Sequence, residues 1–260
     1  MLQFSLVEQI ALAVFLLSGI SFFLYHLLLR LKIVLKGKSD FSVEELPKRI
    51  IRVFDEVILH KKVASGKRKS AGILHALVMY GFIFFGLITI NHFGMAFGFP
   101  IFSDSFRHTY FLIFGAPWAI LCTIGILGLA YRRFVIKPEA LGKFSSTSAL
   151  VSVFIVTLMT TYLIDELHIL SGAAEKFNWW LHSGVIGGFL FLIPQSKHMH
   201  LVLSPFNIFL RPFEVPSHGA IPIDMEASEE ELDNLLLDLS RLSKDPVSYT
   251  HLTLPTILLV

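Results

Sequence analysis

Five uncharged, predominantly apolar stretches punctuate the chain, at 9–29, 72–92, 108–131, 145–164 and 178–196, each 19 to 24 residues long. A hydrocarbon layer about 30 Å thick needs roughly 20 helical residues to cross it. Continuous runs of that length predict transmembrane helices, because membrane strands are shorter and alternate apolar with polar positions. One buried helix of a soluble protein can look like this; five in one chain predict an all-α integral membrane bundle.

Composition agrees with the pattern. Of 260 residues, 54% are hydrophobic and only 16% charged, against about 25% charged in soluble domains. A single water-soluble globule is excluded. Cys122 is the one cysteine, so this chain alone builds no disulfide scaffold and no four-cysteine iron–sulfur or zinc site. The first stretch has no basic residue before it and no A-x-A pattern after it, which makes it a span rather than a signal peptide.

The net charge of +2 hides an uneven distribution. Segment 30–70 carries 12 Lys and Arg, 132–143 carries 4, and the chain from Lys197 onward carries 4, while the loops between hold only Arg107 and Lys176. That puts 20 basic residues on one side and 2 on the other. The positive-inside rule then gives five helices with the N-terminus outside and the C-terminus cytoplasmic, in a bacterial or archaeal cytoplasmic membrane.

Residues 1–200 therefore read as the membrane domain and 201–245 as a cytoplasmic linker followed by an acidic amphipathic helix. Pro205, Pro212, Pro216 and Pro222 mark the linker. Leu232, Leu235, Leu236 and Leu239 fall at helical spacing among Glu226, Glu229, Glu230, Glu231, Asp233 and Asp238, a face that docks on a partner or is simply solvated. The last stretch, 246–260, runs from polar to apolar without periodicity and reads as a non-native tail joined to a truncated reading frame.

Eleven histidines in so apolar a chain are more than solubility needs, and ionisable groups at membrane depth are functional candidates. His75 and His92 sit near the two ends of the second span, 17 residues apart; His182 opens the fifth, with His198 and His200 at its other end. His182 and His200 are separated by 18 residues, five helical turns and roughly 27 Å, so on one helix they share a face. Two antiparallel helices then carry His75 with His200 at the inner level and His92 with His182 at the outer level. Two imidazoles from neighbouring helices are the axial pair of a b-type haem, which exchanges electrons and leaves no open position. A zinc site would want three or four ligands at one level. Gly81, Gly86, Gly184, Gly187 and Gly188 either leave room for a porphyrin or let helices pack closely.

The fifth stretch, with Leu181-His182, Pro194, Ser196-Lys197, His200 and Ser204-Pro205, resembles the last helix of the nitrate reductase gamma subunit family. Ala71–His75 and the NHFGM sequence at 91–95 resemble that family's second helix, although its two histidines there stand closer together than 17 residues. The sequence RVFDEVILHKKVASGKRKSAGILHALVMYGF at 52–82 is similar to membrane-bound iron–sulfur oxidoreductases related to heterodisulfide reductase, some of them electron transfer flavoprotein:menaquinone oxidoreductases. The resemblance implies a di-haem cytochrome b domain within a quinone-linked oxidoreductase. It also implies menaquinone or another quinone in the membrane, and iron–sulfur and flavoprotein carriers in the cytoplasm. The iron–sulfur clusters would lie in a missing C-terminal part or a partner.

Asp165 and Glu166, at the outer end of the fourth span, are candidates to carry protons to or from a quinone, and Lys197 and His198 to contact haem propionates. The other readings are a membrane anchor without haem and a small transporter; few intramembrane charges and no inverted repeat weaken the latter. The charge distribution makes a direct prediction. A reporter fused after Leu242 is expected to fluoresce as a cytoplasmic protein and to give no alkaline phosphatase activity. Phosphatase activity there would invert the topology.

Overall fold

The computed structural model describes residues 2–34, 43–61, 69–142, 144–211 and 213, and all regular structure among them is helical. The acidic stretch 224–242 and the tail 246–260 lie outside the described residues. The longer helices are α1 (Leu6–Val34), α2 (Leu46–Val53), α3 (Lys69–Ala96), α4 (Asp104–Tyr110), α5 (Ala116–Tyr131), α6 (Ser146–Glu166), α7 (Gly172–Leu192) and α8 (His200–Leu210). A π-helical turn, Phe111–Gly115, joins α4 to α5, and a second, Arg132–Ile136, extends α5.

Four helical segments are long and apolar enough to cross a membrane: Leu6–Lys32, Lys69–Ala96, Asp104–Ile136 and Ser146–Glu166. They correspond to the first four predicted spans. The counterpart of the fifth is α7, 21 residues long. Its first turns carry Glu175, Lys176, Asn178 and His182, which dilute its apolar character and keep it outside that set.

The chain divides into two compact units. Among the described residues, the first contains those through Phe23 and those from His60 to Ser196, and the second contains those from Leu24 to Leu59 and those from Lys197 to Phe213. In the first unit α3 packs on α5, α5 on α6 and α6 on α7. Leu12, Ala96 and Trp179 form a buried cluster, with Phe4, Leu16, Phe93 and Trp180 around it. Ser5 and Glu8 cap α1 reciprocally: Ser5 N–H donates to Glu8 Oε2 at 2.8 Å and Glu8 N–H donates to Ser5 Oγ at 3.4 Å, the capping-box arrangement. Lys176 Nζ reaches Glu8 Oε1 at 2.7 Å, and Gln9 Nε2 donates to Ala96 O at 2.9 Å. The starts of α1 and α7 and the end of α3 are thereby joined through polar side chains.

In the second unit, α2 packs on α8. Arg49, 1% exposed, pairs with Glu45 at 2.8 Å and donates to the carbonyls of Phe209 and Arg211 at 3.0 and 3.4 Å. Arg52 also donates to Arg211 O and lies 3.5 Å over the Phe213 ring. Two guanidiniums thus satisfy carbonyls at the C-terminus of α8, where the helix dipole favours positive charge. The stretch read as the start of a linker is helical here, with Pro205 inside α8.

Two sequence arguments change. Helix α7 ends at Leu192, and a turn and the 3-10 segment Lys197–Met199 precede α8. The cause is local: Pro194 has no N–H for the carbonyl of Leu190. The five-turn relation between His182 and His200 therefore does not hold, since no single helix carries both. Among the glycines, a Cβ at Gly187 would overlap the Phe15 ring, one at Gly188 would lie 2.9 Å from Phe154, and one at Gly81 2.8 Å from Cys122 Sγ, whereas Gly86 and Gly184 meet nothing within 4 Å. Three of the five are close-packing positions.

That difference gives a stability prediction. Gly187→Val is expected to lower unfolding stability in detergent by about 1–3 kcal/mol through overpacking against Phe15. Gly184→Ala is expected to stay within about 0.5 kcal/mol of wild type. Thermal unfolding of both purified variants checks it; equal melting of the two would refute the packing assignment.

Candidate functional site

Two of the predicted ligands meet in the first unit. His92 lies in the last turns of α3 and His182 near the middle of α7, and their ring centroids are 4.9 Å apart with planes at 55°. His92 is buried and His182 half-buried. The indole of Trp179 stacks on His92 at 4.7 Å and 14°, one helical turn before Ser183, whose Oγ lies 2.9 Å from His92 Nε2. Thr161 of α6 has its Oγ1 2.7 Å from His182 Nδ1. Asn178 Nδ2 donates to Thr161 O at 2.9 Å, fixing α7 against α6 at this level.

A narrow cleft, with room for about one water molecule, opens beside the imidazoles. His92, His182, Tyr110, Tyr162, Asp165 and Glu166 are among its walls, so both predicted carboxylates lie beside the imidazole pair. Arg107 also lines it, with Nη1 3.4 Å from Glu166 Oε1. Asn91, 3% exposed, accepts from the backbone N–H groups of Ile101 and Phe102 through Oδ1, each at 2.9 Å, and so holds the segment between α3 and α4. Ile88, Met95 and Phe102 supply its apolar lining, so polar and ionisable side chains dominate its walls.

His75 lies elsewhere in the same unit. Its ring faces His60 at a centroid distance of 5.7 Å and an angle of 28°, and His60 also approaches Tyr80 at 6.0 Å. His60 is buried with φ of 50°, a left-handed conformation in which histidine is enriched. His200, His198 and Lys197 belong to the second unit. There His200 Nδ1 lies 2.8 Å from Lys197 O; a carbonyl only accepts, so Nδ1 is the donor. The His198 and His200 rings are 6.3 Å apart.

Haem b can be tested against these residues. Two neutral imidazoles from neighbouring helices at one level are the right donor set, and a hydrogen bond to the second nitrogen is the usual support of a metal-bound histidine. An imidazole nitrogen sits about 2 Å from a first-row metal and about 1 Å from its own ring centre, so axial rings on one iron stand about 6 Å apart. The 4.9 Å between His92 and His182 thus asks for roughly 1 Å of separation, and His92 must offer Nδ1 or give up Ser183. The donor chemistry fits. Among the described residues no cluster of three or more His, Cys, Asp or Glu side chains forms a metal cage.

Comparison with known proteins agrees with the redox reading. The chain is similar to iron–sulfur and quinone oxidoreductases. It is 30% identical over 224 residues to the probable iron-sulfur-binding oxidoreductase FadF of Bacillus subtilis (strain 168), an alignment covering 74% of this chain and 31% of that protein. It is 23% identical over 260 aligned residues to the EtfAB:quinone oxidoreductase of Syntrophomonas wolfei subsp. wolfei, covering 83% of this chain and 35% of the relative. The chain spans about a third of the length of these relatives. No protein-family model matches, and no solved structure matches. Oxidoreductase relatives and four membrane-length helices fit a membrane electron-transfer role.

Sequence reasoning did not single out Thr161, Ser183, Asn178, Asn91 or His60. His60 and Asn91 had a visible signal, their places inside the 52–82 and 91–95 segments that carry the resemblance. Asn91 yields a prediction. Asn91→Ala is expected to strand the backbone N–H groups of Ile101 and Phe102 and to destabilise the unit by about 1–2 kcal/mol. Asn91→Asp keeps the acceptor oxygen and is expected to recover at least half of that in thermal unfolding.

Proposed function

We propose that the chain is a membrane electron-transfer module, a di-haem cytochrome b domain linking cytoplasmic iron–sulfur and flavoprotein carriers to the quinone pool. It spans the membrane five times, with α7 as the fifth crossing, the N-terminus outside and the C-terminus cytoplasmic. The observation that carries the reading is the meeting of His92 and His182, ring centroids 4.9 Å apart, beside a cleft lined with two carboxylates. The names of the relatives add iron–sulfur and quinone chemistry.

Haem b held by two imidazoles supplies one-electron exchange without an open coordination position. In this reading His92 and His182 hold the outer haem, and His75 and His200 the inner one, with Lys197 and His198 against propionates. Thr161 supports His182, and Asn178 keeps α6 and α7 in register. Reducing a quinone to a quinol takes two electrons and two protons. Asp165 and Glu166 stand where protons meet the cleft, and Arg107 beside Glu166 holds that carboxylate in place.

The purified chain is expected to show a b-type alpha band in the reduced-minus-oxidised spectrum, with two haems per chain. His92→Ala or His182→Ala is expected to remove one haem, and His75→Ala or His200→Ala the other. Asp165→Asn with Glu166→Gln is expected to slow quinol turnover at least tenfold in the full oxidoreductase while haem content stays at two. Absence of the alpha band from the wild-type chain would leave a membrane anchor.

A further inference from the structure

We propose that Thr161 is the positioning residue of this site, fixing His182 as the Nδ1–H tautomer so that Nε2 is presented to the metal. The inference rests on the haem reading only for what Nε2 binds; the tautomer assignment is independent of it.

Proton counting along one hydroxyl decides the matter. Thr161 Oγ1 lies 2.7 Å from Thr157 O, 3.2 Å from Leu158 O and 2.7 Å from His182 Nδ1. A threonine hydroxyl has one proton and accepts through its lone pairs. If that proton went to His182, Thr161 Oγ1 and Thr157 O would face each other at 2.7 Å as two acceptors with no hydrogen between them. Donation back to the carbonyl four residues earlier is the ordinary arrangement for threonine in a helix, and it commits the proton. Thr161 Oγ1 can then only accept, so His182 Nδ1 donates and Nε2 holds the lone pair.

The geometry is over-determined rather than incidental. Thr161 is buried at 4% exposure, and its own carbonyl is taken by Asn178 Nδ2 from the helix that bears His182. The hydroxyl and the ring it orients are therefore held by contacts on both α6 and α7. His92 has a different environment: its Nε2 meets Ser183 Oγ and its face is covered by Trp179. The two rings are not equivalent, and His182 is the one with its ligating nitrogen set in advance.

Two measurements test this. In the 15N-histidine-labelled wild-type chain without haem, with the His182 signals identified by their loss in His182→Gln, a protonated Nδ1 is expected; a protonated Nε2 overturns the proposal whatever any variant does. In haem titrations, Thr161→Val, which keeps the shape and removes the hydroxyl, is expected to weaken the outer haem roughly 10- to 100-fold. The same variant is expected to shift that haem's midpoint potential and leave the inner haem's unchanged. Thr161→Ser is expected to restore both values. Wild-type behaviour of Thr161→Val, or a serine variant as impaired as the valine one, would overturn the role of the hydroxyl. A wild-type chain that binds no haem would instead remove the cytochrome reading, while the tautomer is still decided by the nitrogen signals.

Discussion

Inside a hydrocarbon layer, a backbone or side-chain polar group has no solvent to turn to, so each must be bonded within the protein. That constraint shapes this chain more than any single contact does. It makes every long apolar stretch a helix, and it decides where polar residues can stand. Most gather at helix ends or return to their own backbone, as Thr123 does to Ala119 O and Ser152 to Ser148 O. The cluster around His92 and His182 breaks that rule in a specific way. Thr161, Asn178 and Ser183 spend part of their bonding between helices, and all three bonds converge on the two imidazoles or on the threonine that orients one of them.

The third membrane-length segment adapts to the same constraint. Pro117, near the start of α5, has no N–H, and the turn before it is π-helical, with Ala116 N–H donating to Phe111 O. Such turns add a residue locally and are common next to functional sites. At Gly115, the end of this turn, a Cβ would collide with the Tyr162 hydroxyl. The glycine and the π turn together let Tyr162 sit against the segment that also carries Tyr110 and Arg107. One wall of the cleft therefore depends on a backbone irregularity some distance from any carboxylate or imidazole.

How much of this was legible follows from the same physics. The first four apolar runs match helices of membrane length, whereas His182, at the start of the fifth run, lies near the middle of α7 because that helix begins at Gly172. Asp165 and Glu166 were legible as the polar end of a span. The relation of His182 to His200 was not, because helical arithmetic carries through Pro194 on paper while the helix stops at Leu192. Thr161 and Ser183 were invisible for another reason. A hydroxyl residue in a membrane helix usually bonds its own backbone, so nothing in the sequence separates one that also reaches a neighbour. The glycines were ambiguous in principle, since room for a ligand and room for Phe15 require the same missing Cβ.

The length of α3 gives the proposed module its energetic meaning. His75 and His92 lie 17 residues apart on one helix, roughly 26 Å along its axis, which is most of a hydrocarbon core about 30 Å thick. An electron passed between those levels moves nearly a full charge through the membrane field, worth about 2.3 kcal/mol per 100 mV. In the proposed orientation, electrons travelling from the His92 end to the His75 end move toward the negative side and must be driven, while the opposite direction is assisted by the field. Were Asp165 and Glu166 the proton carriers of the proposed module, protons exchanged there would enter or leave on the outer side. Quinol oxidation at that end would then release protons outward as its electrons go inward, adding to the field, and quinone reduction there would dissipate it.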